Sequence, residues 1–103
     1  MTARGSWKRN EREIAERLGG VRVPVTGRSR GDAPDIAHDR YGIECKMWAN
    51  LPKRVTDAMD QAKASCRGEQ IPLVVLHAKG ARHDEDLVVL RLADFAALVE
   101  DAG

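Results

Sequence analysis

Asp35, Glu44 and Lys46 are the residues of this chain whose types and spacing could do chemistry together. Residues 41–48 read as a β-strand, and period-2 alternation puts Ile43, Cys45 and Met47 on one face and Glu44, Lys46 and Trp48 on the other. A Glu and a Lys two apart on one strand face usually make no more than a surface ion pair. Here Asp35 adds a third charge from the preceding strand of the same hairpin. An acid from one strand and Glu-x-Lys from its neighbour can converge on one point. Two carboxylates and the backbone carbonyl of Cys45 then form a hard oxygen site suited to Mg²⁺. A lysine on the same face can orient or deprotonate a water and offset charge that develops in the transition state.

A second conflict with the apolar pattern lies upstream. Residues 8–18 read as a helix whose inward face is set by Ile14 and Leu18, and the same stripe, followed back, passes through Glu11 and Trp7. Glu13 and Glu16 fall on the solvated side. A carboxylate turned toward a core is paired, protonated or metal-bound, because an isolated buried charge is costly. Alternatively, Glu11 sits in a frayed first turn and reaches water or arginine.

The elements that must position these groups follow from punctuation and periodicity. Gly19-Gly20 stops the first helix. Residues 21–25 alternate as a short strand that Pro24 assigns to an edge or a strand end. Residues 26–33 form a polar, glycine-punctuated loop. Strands 34–38 and 41–48 are joined by a tight turn at Asp39-Arg40, relaxed by the nearby Gly42. Beyond Pro52, a second helix over 54–66 carries the stripe Val55, Met59, Ala62 and Cys66. The run 73–76 is continuously apolar, as a strand buried on both faces would be, and a charged loop over 79–85 leads to a further strand at 87–90. Asp94 opens a last helix with Phe95, Leu98 and Val99 inward. The order α-β-β-β-α-β-β-α, without repeats or linkers, predicts one α/β domain over residues 1–103, a mixed central β-sheet flanked by helices.

Composition sets the outer limits. A chain of 103 residues with 43% hydrophobic and 32% charged residues is an ordinary globular composition with room for one modest core. No stretch approaches the roughly 20 apolar residues of a membrane span. The charged N-terminus has no apolar run behind it and does not read as a secretory signal. The two cysteines, Cys45 and Cys66, lie in apolar-patterned segments and lack metal-ligand spacing, which reads as reduced thiols in a cytoplasmic protein. The net charge of +1 hides an asymmetry: arginine and lysine crowd the first third, and acids crowd the C-terminal end. A polyanion would meet the N-terminal half first. The three histidines, His38, His77 and His83, are scattered without ligand spacing and read as surface or strand-end residues.

Pro34-Asp35 followed by Glu44-Cys45-Lys46 resembles the PD-(D/E)XK nuclease signature. The pattern is short and occurs by chance in many chains, so its place in the element order carries the weight: after a helix and an edge strand, before a second helix. That order is the one of the restriction-endonuclease-like core. Within the superfamily the chain looks most like the archaeal-type Holliday junction resolvases and their phage relatives, over residues 8–76. The segment 10–18 resembles the family's first helix with its acid, and 23–30 its strand and basic, hydroxyl-bearing loop.

The resemblance implies that Glu11, Asp35 and Glu44 bind Mg²⁺, with Mn²⁺ able to substitute, and that Lys46 serves the attacking water. It implies DNA contacts from Lys8, Arg9, Arg12, Thr26, Arg28, Ser29 and Arg30, and it places Gln61 at the edge of the active site. The implied activity is hydrolysis of phosphodiester bonds in four-way or otherwise branched DNA by a homodimer, in a bacterial or phage-infected cytoplasm. Other nicking, repair or restriction-type nucleases of the superfamily share these residues. A DNA-binding module that has lost its chemistry is the alternative of a different class, and the complete set Glu11, Asp35, Glu44 and Lys46 argues against such decay.

Overall fold

The computed structural model of the chain describes residues 3–24 and 33–102, with side chains from Ser6 onward. The chain gathers into two compact units, Met1–Ala49 and Asn50–Gly103. No described helix is long and apolar enough to cross a membrane.

The first unit is built on helix α1, Ala3–Leu18. The helix begins five residues ahead of the expected start at Lys8, because the apolar stripe marks where packing starts rather than where the backbone starts to coil. Its inner face carries Glu11, Ala15 and Leu18, all buried, with Ile14 beside them. Gly19 takes φ +74° and the Gly20 N–H donates to the Ala15 carbonyl at 2.9 Å. This is the left-handed, six-to-one closure of a helix C-terminus. His38 adds a cap from outside the helix: its Nδ1 accepts the Arg40 N–H at 3.0 Å, so its Nε2–H donates to the Leu18 carbonyl at 2.9 Å.

Strands β1 (Val21–Arg22) and β2 (Ile36–Ala37) pair antiparallel in the register Val21↔Ala37 and Arg22↔Ile36. Gly20 leads into this pair through a gap that admits no side chain. A Cβ there would lie 2.6 Å from Ile36 Cγ2 and 2.7 Å from the Ala37 carbonyl oxygen. Gly20→Ala is therefore expected to cost about 1–3 kcal/mol, the usual range for overpacking. Trp7 and Trp48 both belong to this unit, so denaturant unfolding followed by tryptophan fluorescence measures it. A variant within ~0.5 kcal/mol of the parent would show that the gap opens freely.

The expected hairpin partner of β2 forms only in part. Ile36 and Ile43 make an antiparallel bridge centred between Asp39 and Arg40, where the turn was expected. Beyond it the expected strand over 41–48 has no ladder. Pro34 has no N–H to offer, and the Cys45 N–H is taken by the Asp35 carboxylate. Ile36 is fully buried and packs with Ala15 and Cys45 at the centre of the core, flanked by Ile14 and Ile43.

The second unit holds helix α2 (Lys53–Ser65), strands β3 (Val74–Leu76) and β4 (Leu87–Val89), a 3-10 turn at His83–Glu85 and helix α3 (Leu92–Ala102). The α2 stripe is as expected, with Val55, Met59, Ala62 and Cys66 half-buried. β3 and β4 pair antiparallel, Val74↔Val89 through Leu76↔Leu87. The expectation of a strand buried on both faces fails here: Leu73 and Val75 are exposed, as are Leu87 and Val88. Among the described residues β3 pairs with one strand, β4, and packs against helix α2, and much of its apolar surface stays open to solvent. α3 turns Phe95 and Val99 inward but leaves Leu98 exposed. The α/β class holds, whereas the described residues form two two-stranded antiparallel sheets in place of the expected mixed central sheet.

Candidate functional site

Asp35 owes its position to an irregularity of the sheet. Its N–H and that of Ile36 both donate to the carbonyl of Ile43, at 3.0 and 3.3 Å. Two residues thus oppose one, the pattern of a β-bulge, which breaks the alternation of side chains and re-aims the first of them. Strict alternation would send Asp35 and Ile36 to opposite faces. With the bulge, both are buried. On the other side, the Asp35 carbonyl accepts the Val23 N–H at 2.9 Å, which continues the β1–β2 pairing past its last regular residue.

The Asp35 side chain crosses to the neighbouring segment. Its Oδ2 accepts the Cys45 N–H at 2.7 Å, a buried, charge-assisted bond. A carboxylate is thereby held on the backbone at the middle residue of Glu44-Cys45-Lys46. Cys45 is buried, and Glu44 and Lys46 on either side of it are exposed, as the strand alternation predicts. The alternation ends there, since Met47 and Trp48 are both exposed and Trp48 is 59% so.

Glu11 is fully buried. Arg22 reaches it from β1, with Nε–H donating to Oε1 at 2.7 Å, and the arginine side chain keeps only 15% exposure. Of the readings open to a carboxylate on the apolar face, this is the paired one. Arg22 was not singled out by the sequence, because an alternating Val-Arg-Val strand suggests valines inward. Instead Val21 is 70% exposed, whereas Arg22 and Val23 are both half-buried. The available signal was the unexplained acid on α1, which needed a cation near by. Among the described residues the Nη2 of Arg22 is buried without a hydrogen-bond partner.

The other expected site residues divide by location. Arg9 and Arg12 are exposed on α1 and Lys8 is half-buried. Arg12 and Arg22 also line an open groove of about 360 Å³ between the end of α1 and β1, with Glu16 at its rim. Thr26, Arg28, Ser29 and Arg30 lie outside the described residues. Gln61 is exposed on α2, in the second unit.

The histidines lie at strand ends or on the surface as expected, but two of them are not isolated. His77 and His83 do share a partner: both Nδ1 atoms bond the Asp86 carboxylate, at 2.6 and 3.0 Å. Spacing along the chain hid this, because strand pairing and a 3-10 turn bring the three together. Comparisons with protein-family models, with curated proteins and with solved structures returned no match.

Proposed function

We propose that the chain is a metal-dependent endodeoxyribonuclease that hydrolyses phosphodiester bonds in branched DNA, in the manner of a Holliday junction resolvase. The observation that carries the reading is the Asp35–Cys45 bond, which holds a buried acid against the backbone that bears Glu44 and Lys46. Such an arrangement has little purpose in a surface ion pair, where the acid would stay solvated.

The donor set fits a hard cation. Asp35, Glu44 and the Cys45 carbonyl offer only oxygen, and the exposed Glu44 side chain faces water, from which the cation and substrate would come. Bound there, Mg²⁺ (or Mn²⁺) would lower the pKa of a water ligand and polarise the phosphate. Lys46, exposed next to the buried Cys45, orients the attacking water and offsets charge on the phosphoryl oxygens. Lys8, Arg9 and Arg12 on α1, with Thr26, Arg28, Ser29 and Arg30 of the segment 26–30, supply contacts to the DNA backbone. Glu11 acts in this reading through Arg22, bracing α1 on β1 and so the strand pairing that carries Asp35. Gln61 remains a candidate for the edge of the site.

The contacts proposed here go to phosphates, which position a duplex without reading its bases, and this favours recognition of DNA shape. A four-way junction is two-fold symmetric, and a homodimer would bring one site to each of two opposed strands. The test is cleavage of four-way junction, flapped, nicked and linear duplex DNA with Mg²⁺, each repeated with EDTA. The expected result is paired nicks in the junction that EDTA abolishes. Metal-dependent cutting of all four substrates would point instead to a less selective nuclease of the same chemistry. Binding without cutting would overturn the enzymatic reading.

A further inference from the structure

We propose that His77, His83 and Asp86 form a binding site for one divalent transition-metal ion of the Zn²⁺ class, separate from the oxygen site around Asp35 and independent of the nuclease reading. The three residues are assembled by backbone geometry. β3 and β4 pair as far as Leu76↔Leu87, so His77 and Asp86 are the next residues across the same ladder. Directly opposed residues of an antiparallel pair have Cβ atoms about 4.5–5.5 Å apart. His83 begins the 3-10 turn, and the Asp86 N–H donates to its carbonyl at 3.0 Å. Side chains three apart eclipse in such a turn, which brings His83 over Asp86.

The ligand atoms already converge. A ring nitrogen from each histidine and one Asp86 oxygen all lie within 4.8 Å of one another. His77 Nδ1 is 2.6 Å from Oδ1 and His83 Nδ1 is 3.0 Å from Oδ2, and the rings stack with centroids 4.4 Å apart. With metal–nitrogen and metal–oxygen bonds near 2.1 Å, tetrahedral ligands sit about 3.4 Å apart. The two His–Asp86 separations have to open by about 0.8 and 0.4 Å toward that spacing, no two of the ligand atoms start more than 4.8 Å apart, and His83, at 84% exposure, has room to move. Asp86 is the fixed point, with 11% side-chain exposure.

Two imidazoles and one carboxylate select for Zn²⁺, Co²⁺ or Ni²⁺ over Mg²⁺, which prefers oxygen alone. On binding, each neutral imidazole carries its proton on Nε2, so the Nδ1 lone pair goes to the metal, and water completes the shell. A cavity of about 430 Å³ beside the cluster, bordered by His77, Glu85 and Asp86, has space for that water. The ion would clip the connection from β3 to β4 at both ends and near its middle.

The test uses the full chain without a polyhistidine tag. Calorimetric titration with Zn²⁺ is expected to show one saturable equivalent that millimolar Mg²⁺ does not displace. Co²⁺ should give visible d–d bands without thiolate charge-transfer absorption, which separates this site from Cys45 and Cys66. His83→Ala, at an exposed position that the fold does not need, should weaken binding at least ~10-fold. His77→Gln should do the same with an unchanged far-UV circular dichroism spectrum. Absence of saturable Zn²⁺ binding, or affinity unaltered in His83→Ala, would overturn the proposal.

Discussion

Asp35→Asn is expected to lower the rate of Mg²⁺-dependent DNA cleavage by roughly 10²–10³-fold, the scale seen when one charge-stabilising group is removed from an active site. The fold should survive. An asparagine oxygen can still accept the Cys45 N–H that now lies 2.7 Å from Oδ2. What is lost is the negative charge that would hold the cation. Asp35→Ala separates the two roles, because it also leaves the buried Cys45 N–H without its acceptor, at a cost of about 1–3 kcal/mol. Glu44→Gln and Lys46→Ala should match Asp35→Asn in activity. Both side chains are exposed, so their unfolding free energies should stay within ~0.5 kcal/mol of the parent. The measurement is the single-turnover cleavage rate of the preferred substrate beside a binding assay. Full activity in any of the three charge-removing variants would sink the site assignment.

The largest effect on stability is expected at the buried pair. Arg22→Met removes the guanidinium that lies 2.7 Å from a fully buried carboxylate. Removing one partner of a buried ion pair costs about 3–5 kcal/mol, because the remaining charge loses a large part of what offset its lost hydration. The lower end applies here, since Arg22 keeps some solvent contact. The double variant Glu11→Leu/Arg22→Met should recover much of that loss, as apolar replacements of whole buried pairs often do. A coupling energy of about 1–3 kcal/mol between the two sites is the quantity to measure, from denaturant unfolding followed through Trp7 and Trp48. Additive single effects would mean that the pair is incidental. The consequence reaches the candidate site, because β1 carries both Arg22 and the strand pairing that continues, through the Val23 N–H, onto the Asp35 carbonyl.

The elements with strong local signals were legible in the sequence. Gly19-Gly20 marked the end of α1 because only glycine takes φ +74° there without strain. The α2 stripe followed from a period that holds whatever the helix packs against. The turn at Asp39-Arg40 and the outward phase of Glu44 and Lys46 around Cys45 were also readable, since alternation is a property of the local backbone. Non-local pairing was another matter. The length of β3's apolar run suggested two buried faces, but burial depends on whether a second layer exists, and a run of valines and leucines cannot specify that.

By itself, then, the sequence determined which residues could do chemistry: Asp35 and Glu44-Cys45-Lys46 by type and spacing, and Glu11 by its conflict with the helical stripe. The tertiary structure decided how those residues meet. A bulge against Ile43 turned Asp35 onto the Cys45 N–H, and that shift depends on two amides sharing one distant carbonyl. The placing of β1 beside α1 gave Glu11 a partner in Arg22. The register of β3 and β4 gathered His77, His83 and Asp86 into one cluster. Local propensity acts over a few neighbouring residues, whereas each of these meetings was set by pairing between segments whose separation along the chain carries no such signal.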